Sequence, residues 1–353
     1  MRWLTVAAAL ASLLLLPGVA AAGHRERLVW AQSFETDSLG GRIVIADPDG
    51  RNVRPLTHPP EGAADVDPKI SPDGTRVLFE RDFPDGNARV GLVGVDGRGE
   101  RVLDLGCTDP CASDNIPNWT PDGRHVTWTR VVGPFDPVTE DAQSAVLWIA
   151  DLHGRHVRRL SPPGVDPAYE ETDAEFAPGG YLILLRLARI DGEIKSAILR
   201  RDLDGRHERQ LTPWSVDADL PDPSPARWGP TRDLVVFETF GHGPPEGVAQ
   251  AVATVPATCR GEDECASRIR YLTSPSTGPF QHFNPAWSPD GRRIAFVRFG
   301  YPPLLGDIWT MRWNGADQRA VADSPLFDYR PEWGRTRLSD SPRATPARRP
   351  RGG

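Results

Sequence analysis

Five times along this 353-residue chain a large apolar residue leads into a tight turn built on proline: Ile70-Ser71-Pro72-Asp73-Gly74, Trp119-Thr120-Pro121-Asp122-Gly123, Phe176-Ala177-Pro178-Gly179-Gly180, Trp228-Gly229-Pro230 and Trp287-Ser288-Pro289-Asp290-Gly291. A shortened sixth copy, Trp333-Gly334, closes the series. The prolines advance by 49, 57, 52 and 59 residues. A period near fifty accommodates about four short strands with their turns, so the repeat constrains the fold more than any other feature of the chain.

Each turn is followed by a short apolar run, such as Val77-Leu78-Phe79 or Ile294-Ala295-Phe296-Val297. Proline fixes φ, aspartate bonds its own backbone and glycine accepts positive φ, so Pro-Asp-Gly predicts a tight turn into a strand. A third run follows, as in Asp307-Ile308-Trp309-Thr310-Met311, then an Asp-x-x-Gly type turn, then a fourth strand ending in Leu-Thr or Leu-Ser at Leu160, Leu211 and Leu272. Each unit reads as a four-stranded antiparallel sheet. One such sheet cannot bury both faces, so neighbours must stack around an axis. Residues 28–57 hold only the later strands of a unit, and Asp328-Tyr329-Arg330-Pro331-Glu332-Trp333 holds only a first strand. Joined, they make a sixth blade. The expected fold is all-β, a six-bladed β-propeller of four-stranded antiparallel blades, with the last blade closed by strands from both chain ends.

These units, with their trailing Asp-x-x-Gly and Leu-Thr, resemble the TolB-type, WD-like β-propeller repeats over nearly the whole mature chain. The family's separate N-terminal α/β domain has no counterpart in the reading, because few residues separate the leader from the first strand. In the related TolB propeller the channel mouth receives extended partner segments, so the resemblance implies a protein or peptide partner.

The chain divides into three parts. Residues 1–22 read as a cleaved secretory signal: Arg2, an apolar run from Leu4 to Leu16, and small residues up to Ala22. That run is too short to span a bilayer, and no later segment is suited to it. Residues 23–335 are the propeller. Residues 336–353, rich in Pro, Arg and Ser, are expected to form a disordered basic tail. The net charge of −7 averages over this division; setting aside Arg2, and the six arginines and Asp340 beyond residue 334, leaves −13 for residues 23–334. An acidic body is unsuited to nucleic acid. The four cysteines form two close pairs, Cys107 with Cys111 and Cys259 with Cys265, which in an exported protein predicts two small disulfide loops. Their spacing fits no standard zinc finger.

Just before the motif positions runs an acidic series, Asp65, Asp67, Asp114, Asp173, Asp222 and Asp328, with His282 in the fifth unit. If first strands line the channel, this series rings one mouth. Two readings stand side by side: a negative field for a cation, basic peptide or partner loop, or structural carboxylates accepting N–H bonds from the next blade. Trp119, Trp228, Trp287 and Trp333 read as inter-blade packing, and Asp73, Asp122 and Asp290 as turn residues. Two insertions, Gly133 to Ser144 and Gly241 to Gln250, are candidate recognition loops. No nucleophile elbow, phosphate-binding glycine loop or His-Glu-x-x-His occurs. The reading is therefore an exported, non-enzymatic, monomeric scaffold, periplasmic or extracellular, that binds an envelope or extracellular protein or peptide without cofactor or metal. The alternatives are a metal-assisted polysaccharide lyase or hydrolase, and a carbohydrate-binding propeller.

Overall fold

A computed structural model describes residues 24–35, 40–133, 144–162, 169–177, 179–190, 192–214, 226–239, 250–273, 280–300, 305–321 and 324–337. The leader, the cores of both insertions, Asp222 and the tail from residue 338 lie outside the described residues. Among the described residues, twenty-four strands form six four-stranded sheets. The first sheet joins β1 (Arg25–Ser33), β2 (Gly41–Ala46) and β3 (Arg54–Pro55) to the last strand, β24 (Asp328–Thr336). The second holds β4 (Ala64–Ile70), β5 (Arg76–Asp82), β6 (Ala88–Gly94) and β7 (Arg101–Val102). The third holds β8 (Cys111–Trp119), β9 (His125–Val132), β10 (Ser144–Asp151) and β11 (Arg158–Arg159). The fourth holds β12 (Tyr169–Ala177), β13 (Tyr181–Ile190), β14 (Glu193–Asp202) and β15 (Arg209–Gln210). The fifth holds β16 (Arg227–Trp228), β17 (Leu234–Thr239), β18 (Ala251–Pro256) and β19 (Arg270–Tyr271), with a short helix α1 (Glu262–Ser267) before its edge strand. The sixth holds β20 (Phe280–Trp287), β21 (Arg293–Gly300), β22 (Leu305–Arg312) and β23 (Arg319–Ala320). Each blade touches the next, and the last touches the first, so the ring closes as the repeat predicts.

Closure uses both chain ends. Strand β24 pairs antiparallel with β1, from Arg25 opposite Thr336 to Gln32 opposite Asp328. The Trp30 indole N–H donates to Asp328 Oδ1 at 2.8 Å across this seam. Apolar faces of the second and third strands fill the space between blades, with Trp30, Trp128, Phe79 and Phe296 wholly buried. Burial of such area is the main stabilising term in a fold of this kind.

The repeated motifs each have a local cause. In the Pro-Asp-Gly turns the hydroxyls of Ser71, Thr120 and Ser288 donate to Asp73, Asp122 and Asp290 at 2.6, 2.5 and 2.7 Å. Those carboxylates also accept the backbone N–H two residues on, at Thr75, Arg124 and Arg292. The Leu-Thr ending has a different purpose. Edge strands pair over two residues only, and the hydroxyls of Thr57, Ser161, Thr212 and Thr273 accept the next N–H of the third strand, at Ile43, Leu147, Ile198 and Val252. A buried donor is thereby satisfied where the ladder stops.

Every described full-length inner strand carries an irregularity three residues before its motif position, and β8 has a second between Cys111 and Ser113. Pairing is interrupted at Asp67-Pro68, Ile116-Pro117, Asp173-Ala174, Asn284-Pro285 and Arg330-Pro331. The first residue of each pair has φ between 48° and 53°. This is a β-bulge, and proline suits its second place because no N–H is needed there. The freed N–H groups of Ile116 and Asn284 donate to Glu80 and Glu238 of the preceding blade at 2.7 and 3.1 Å.

The disulfides predicted from spacing are formed: Cys107–Cys111 with Cα atoms 5.2 Å apart, and Cys259–Cys265 at 5.3 Å. They indicate an oxidising compartment. Among the described residues no helix is long and apolar enough to cross a membrane.

Candidate functional site

The bulges decide which inner-strand side chains meet at the axis. Five residues before the motif position, Asp65, Asp114 and Asp328 are buried and held inside their own blades. Arg81 donates to Asp65 at 2.6 and 2.8 Å, and Arg130 to Asp114 at 2.7 and 2.8 Å. Each pair lies directly opposite in register on the first two strands. Asp114 also accepts the Trp128 indole N–H at 2.8 Å. Asp328 accepts from Trp30 and from Gln32 at 2.8 and 3.0 Å. His282 holds the equivalent place in the sixth blade opposite Arg298, and burial, then Arg298, pushes its pKa down to about 4. In the fourth blade this position is Glu171, bonded by Arg186 and Arg201 at 2.6 and 2.5 Å. Sequence reasoning missed Glu171 because it aligned Asp173, two residues on, with Asp114.

Asp67 and Asp173 are bulge residues and pair between blades. Asp67 accepts from Arg330 of the first blade, and Asp173 meets Arg227 of the fifth at 3.3 Å. Immediately before the motif position stand Glu332, Lys69, Asn118, Glu175, Arg227 and Ala286, one from each blade in ring order. All but Ala286 line a single cavity of about 200 Å³, together with Trp119, Phe176 and the turn prolines Pro72 and Pro121. Five blades contribute to it, so it lies on the ring axis, on the side of the Pro-Asp-Gly turns.

The charges there are buried and mixed. Lys69 and Arg227 are 5% and 6% exposed. Arg227 Nε lies 3.7 Å from Glu175 Oε2. Burial, reinforced by Arg227, drives the Lys69 ammonium down to about 8, against the pull of Glu332, Asp173 and Glu175. Burial pushes Glu175 up to about 8; Arg227 opposes this and Glu332 adds to it. Burial likewise raises Asp173 and Glu332 and lowers Arg330 to about 10. Burial works against the Arg227 charge too, yet Asp173, Glu175 and Glu332 together hold its pKa above the ordinary value. Lys69, Arg227 and Arg330 thus share one buried region with Asp67, Asp173, Glu175 and Glu332. Immediately before the motif position glutamate stands in two blades only, and the other four carry Lys69, Asn118, Arg227 and Ala286, so the position has no recurring acid to mark it in the sequence.

The motif tryptophans frame the cluster. Trp119, Trp228, Trp287 and Trp333 are 5–7% exposed. The indoles of Trp119 and Trp287 donate to the Lys69 and Arg227 carbonyls at 2.9 and 3.1 Å, tying each blade to the one before. Among the described residues, Cys107, Cys111 and Asp114 lie close enough for a shared metal ion. The two sulfurs are joined as a disulfide and offer no thiolate.

No protein-family profile matches the chain. A segment of 86 residues is 33% identical to the Tol-Pal system protein TolB of Rhizorhabdus wittichii, covering 24% of this chain and 17% of that protein. Among solved structures, TolB from Acinetobacter baumannii superposes with a TM-score of 0.58 at 16% identity, over 87% of this chain and 66% of the other. The propeller is TolB-like. Hydrazine synthase of Kuenenia stuttgartiensis shares the fold with a TM-score of 0.64 at 13% identity, over 89% of this chain and 47% of that one. The chain therefore spans less than two thirds of each of these relatives. At such identities the structural likeness extends to the fold alone.

Proposed function

We propose that this TolB-like propeller is an exported, monomeric, non-enzymatic scaffold whose channel receives an extended segment of a protein or peptide partner. One observation carries the reading. Lys69, Glu175, Arg227 and Glu332, from four different blades, surround one axial cavity rather than pairing off within their blades. Charges taken out of water cost stability unless fully paired, and Glu175 Oε2 accepts no hydrogen bond. Such groups suit a site completed by a partner's own charges and backbone. The resemblance to a protein named for the Tol-Pal system supports a protein partner in the cell envelope. The two disulfides support export.

The test is a photo-reactive residue in place of Asn118, which lines the cavity, with the same residue in place of exposed Phe34 as control. A discrete protein adduct in cell envelopes from position 118 alone, diminished by Glu332→Gln, is the expected result. Equal labelling at both positions, or no adduct at 118, contradicts the reading.

One observation favours a second reading, a channel enzyme. An amine and a carboxyl both titrating near 8 beside a cavity are matched to general acid–base work at neutral pH. A panel of acidic polysaccharides incubated with the protein separates the two. Cleavage abolished by Glu175→Gln establishes the enzyme, and intact polymers leave the scaffold reading in place.

A further inference from the structure

A second cavity of about 430 Å³ lies at the outer rim, between the edge of the fifth blade and the turn after β22 of the sixth. It is three strand spacings, about 14 Å, outside the inner strands, and owes nothing to the channel. Thr254, Arg268, Arg270, Tyr271, Trp313 and Asn314 are among its lining residues. Its size is that of a small-ligand site.

Its chemistry departs from the rest of the molecule. Residues 23–334 carry a net −13, yet this cavity presents two arginines. Arg268 lies 3.0 Å from Glu264. Arg270 has no carboxylate within ion-pair range among the described residues. Arginine begins the edge strand of every blade, at Arg54, Arg101, Arg158, Arg209, Arg270 and Arg319. Of these, among the described residues, only Arg319 is ion-paired, to Asp317 at 2.7 Å. Charge on an edge strand guards it against pairing with another chain, which accounts for the belt. It does not account for a concavity beside Arg270, nor for Tyr271 standing 48% exposed within it. The loop carrying Arg268 is held in place by the Cys259–Cys265 disulfide across α1.

Guanidinium forks match carboxylate geometry. Aromatic side chains offer an apolar body with a polar edge, on which the C–H face of a pyranose ring can rest. The Thr254 hydroxyl and Asn314 amide supply donors and acceptors suited to ring hydroxyls. An acidic peptide would use the arginines and leave this second set idle. We propose that the rim groove binds a uronic acid residue of an acidic polysaccharide, its carboxylate on Arg270 and Arg268 and its ring against Tyr271 and Trp313.

Titration calorimetry of the full chain with an alginate hexamer at fixed salt tests this, with maltohexaose and hexaglutamate as comparison ligands. Alginate is expected to bind, with affinity falling at least tenfold in both Arg270→Ala and Tyr271→Ala, while the two comparison ligands give no saturable heat. Both residues are exposed, so the unfolding temperature of each variant should match the parent. Glu332→Gln in the channel should leave alginate affinity unchanged, which separates this site from the channel reading. Absence of alginate binding, equal binding of hexaglutamate, or unaltered affinity in Tyr271→Ala overturns the proposal.

Discussion

Replacing Asp114 by alanine tests whether the acidic series holds the blades together or waits for a partner. The side chain is 1% exposed and accepts three bonds: two from Arg130, at 2.7 and 2.8 Å, and one from Trp128 at 2.8 Å. Its removal leaves a buried guanidinium whose remaining bond is to the Leu105 carbonyl at 2.8 Å. Breaking a buried ion pair from one side costs about 3–5 kcal/mol. For a domain of this size each kcal/mol lowers the unfolding temperature by about 2 °C, so a fall of about 6–10 °C is expected. Differential scanning calorimetry or circular dichroism at pH 7 measures it. Asp114→Ala with Arg130→Met should recover most of the loss, because no unpaired charge then remains. A change within about 1 °C for the single variant, against the several degrees expected from a broken buried pair, would refute the reasoning and return Asp114 to the list of binding residues.

Other expectations follow from the same structure. In Gly154→Ala the new Cβ would sit 1.9 Å from the Asp104 carbonyl oxygen of the preceding blade, at φ +69°; Gly86 also has positive φ but open space around it. Gly154→Ala should therefore lower the unfolding temperature well beyond Gly86→Ala, for which about 1 kcal/mol of backbone strain is expected. Thr57→Val removes the acceptor of the Ile43 N–H and should cost about 1–3 kcal/mol by denaturant titration, as for any buried donor left unsatisfied. Asp328 is raised to about 6, by burial first, with Trp30 and Gln32 opposing. The folded state thus keeps a proton that an unfolded carboxyl, with a pKa near 4, has lost, and stability falls as pH rises from about 4 to about 6. Asp328→Asn should flatten the unfolding temperature across that window, and Glu175→Gln should do so from about 4.5 to 8.

The architecture was legible because its determinants are local and repeated. Pro72, Pro121 and Pro289 sit in turns whose bonds recur unchanged, and the missing first strand before Leu28 matched the unaccompanied strand ending in Trp333. The candidate site was harder to read, because register depends on the bulge. Asp67 and Asp65 look interchangeable in the chain, yet one turns toward Arg330 of another blade and the other pairs with Arg81 of its own. A signal did exist: Asp67-Pro68, Ile116-Pro117, Asn284-Pro285 and Arg330-Pro331 mark the bulge in four blades. Counting forward from it would have reached Lys69, Asn118 and Glu332. Glu175 and Arg227 carry no such marker, and only the ring brings them to the same cavity.

The channel cluster is proposed as the docking site for an extended segment. Peptides selected from a displayed library against the wild-type protein, and measured by calorimetry against wild type, Glu332→Gln and Arg270→Ala, test it most directly. Binding weakened at least tenfold by Glu332→Gln, consistent with a charge-assisted bond of about 1.5–3 kcal/mol, and untouched by Arg270→Ala, is the predicted result. Selected peptides that bind Glu332→Gln as tightly as wild type would contradict the claim.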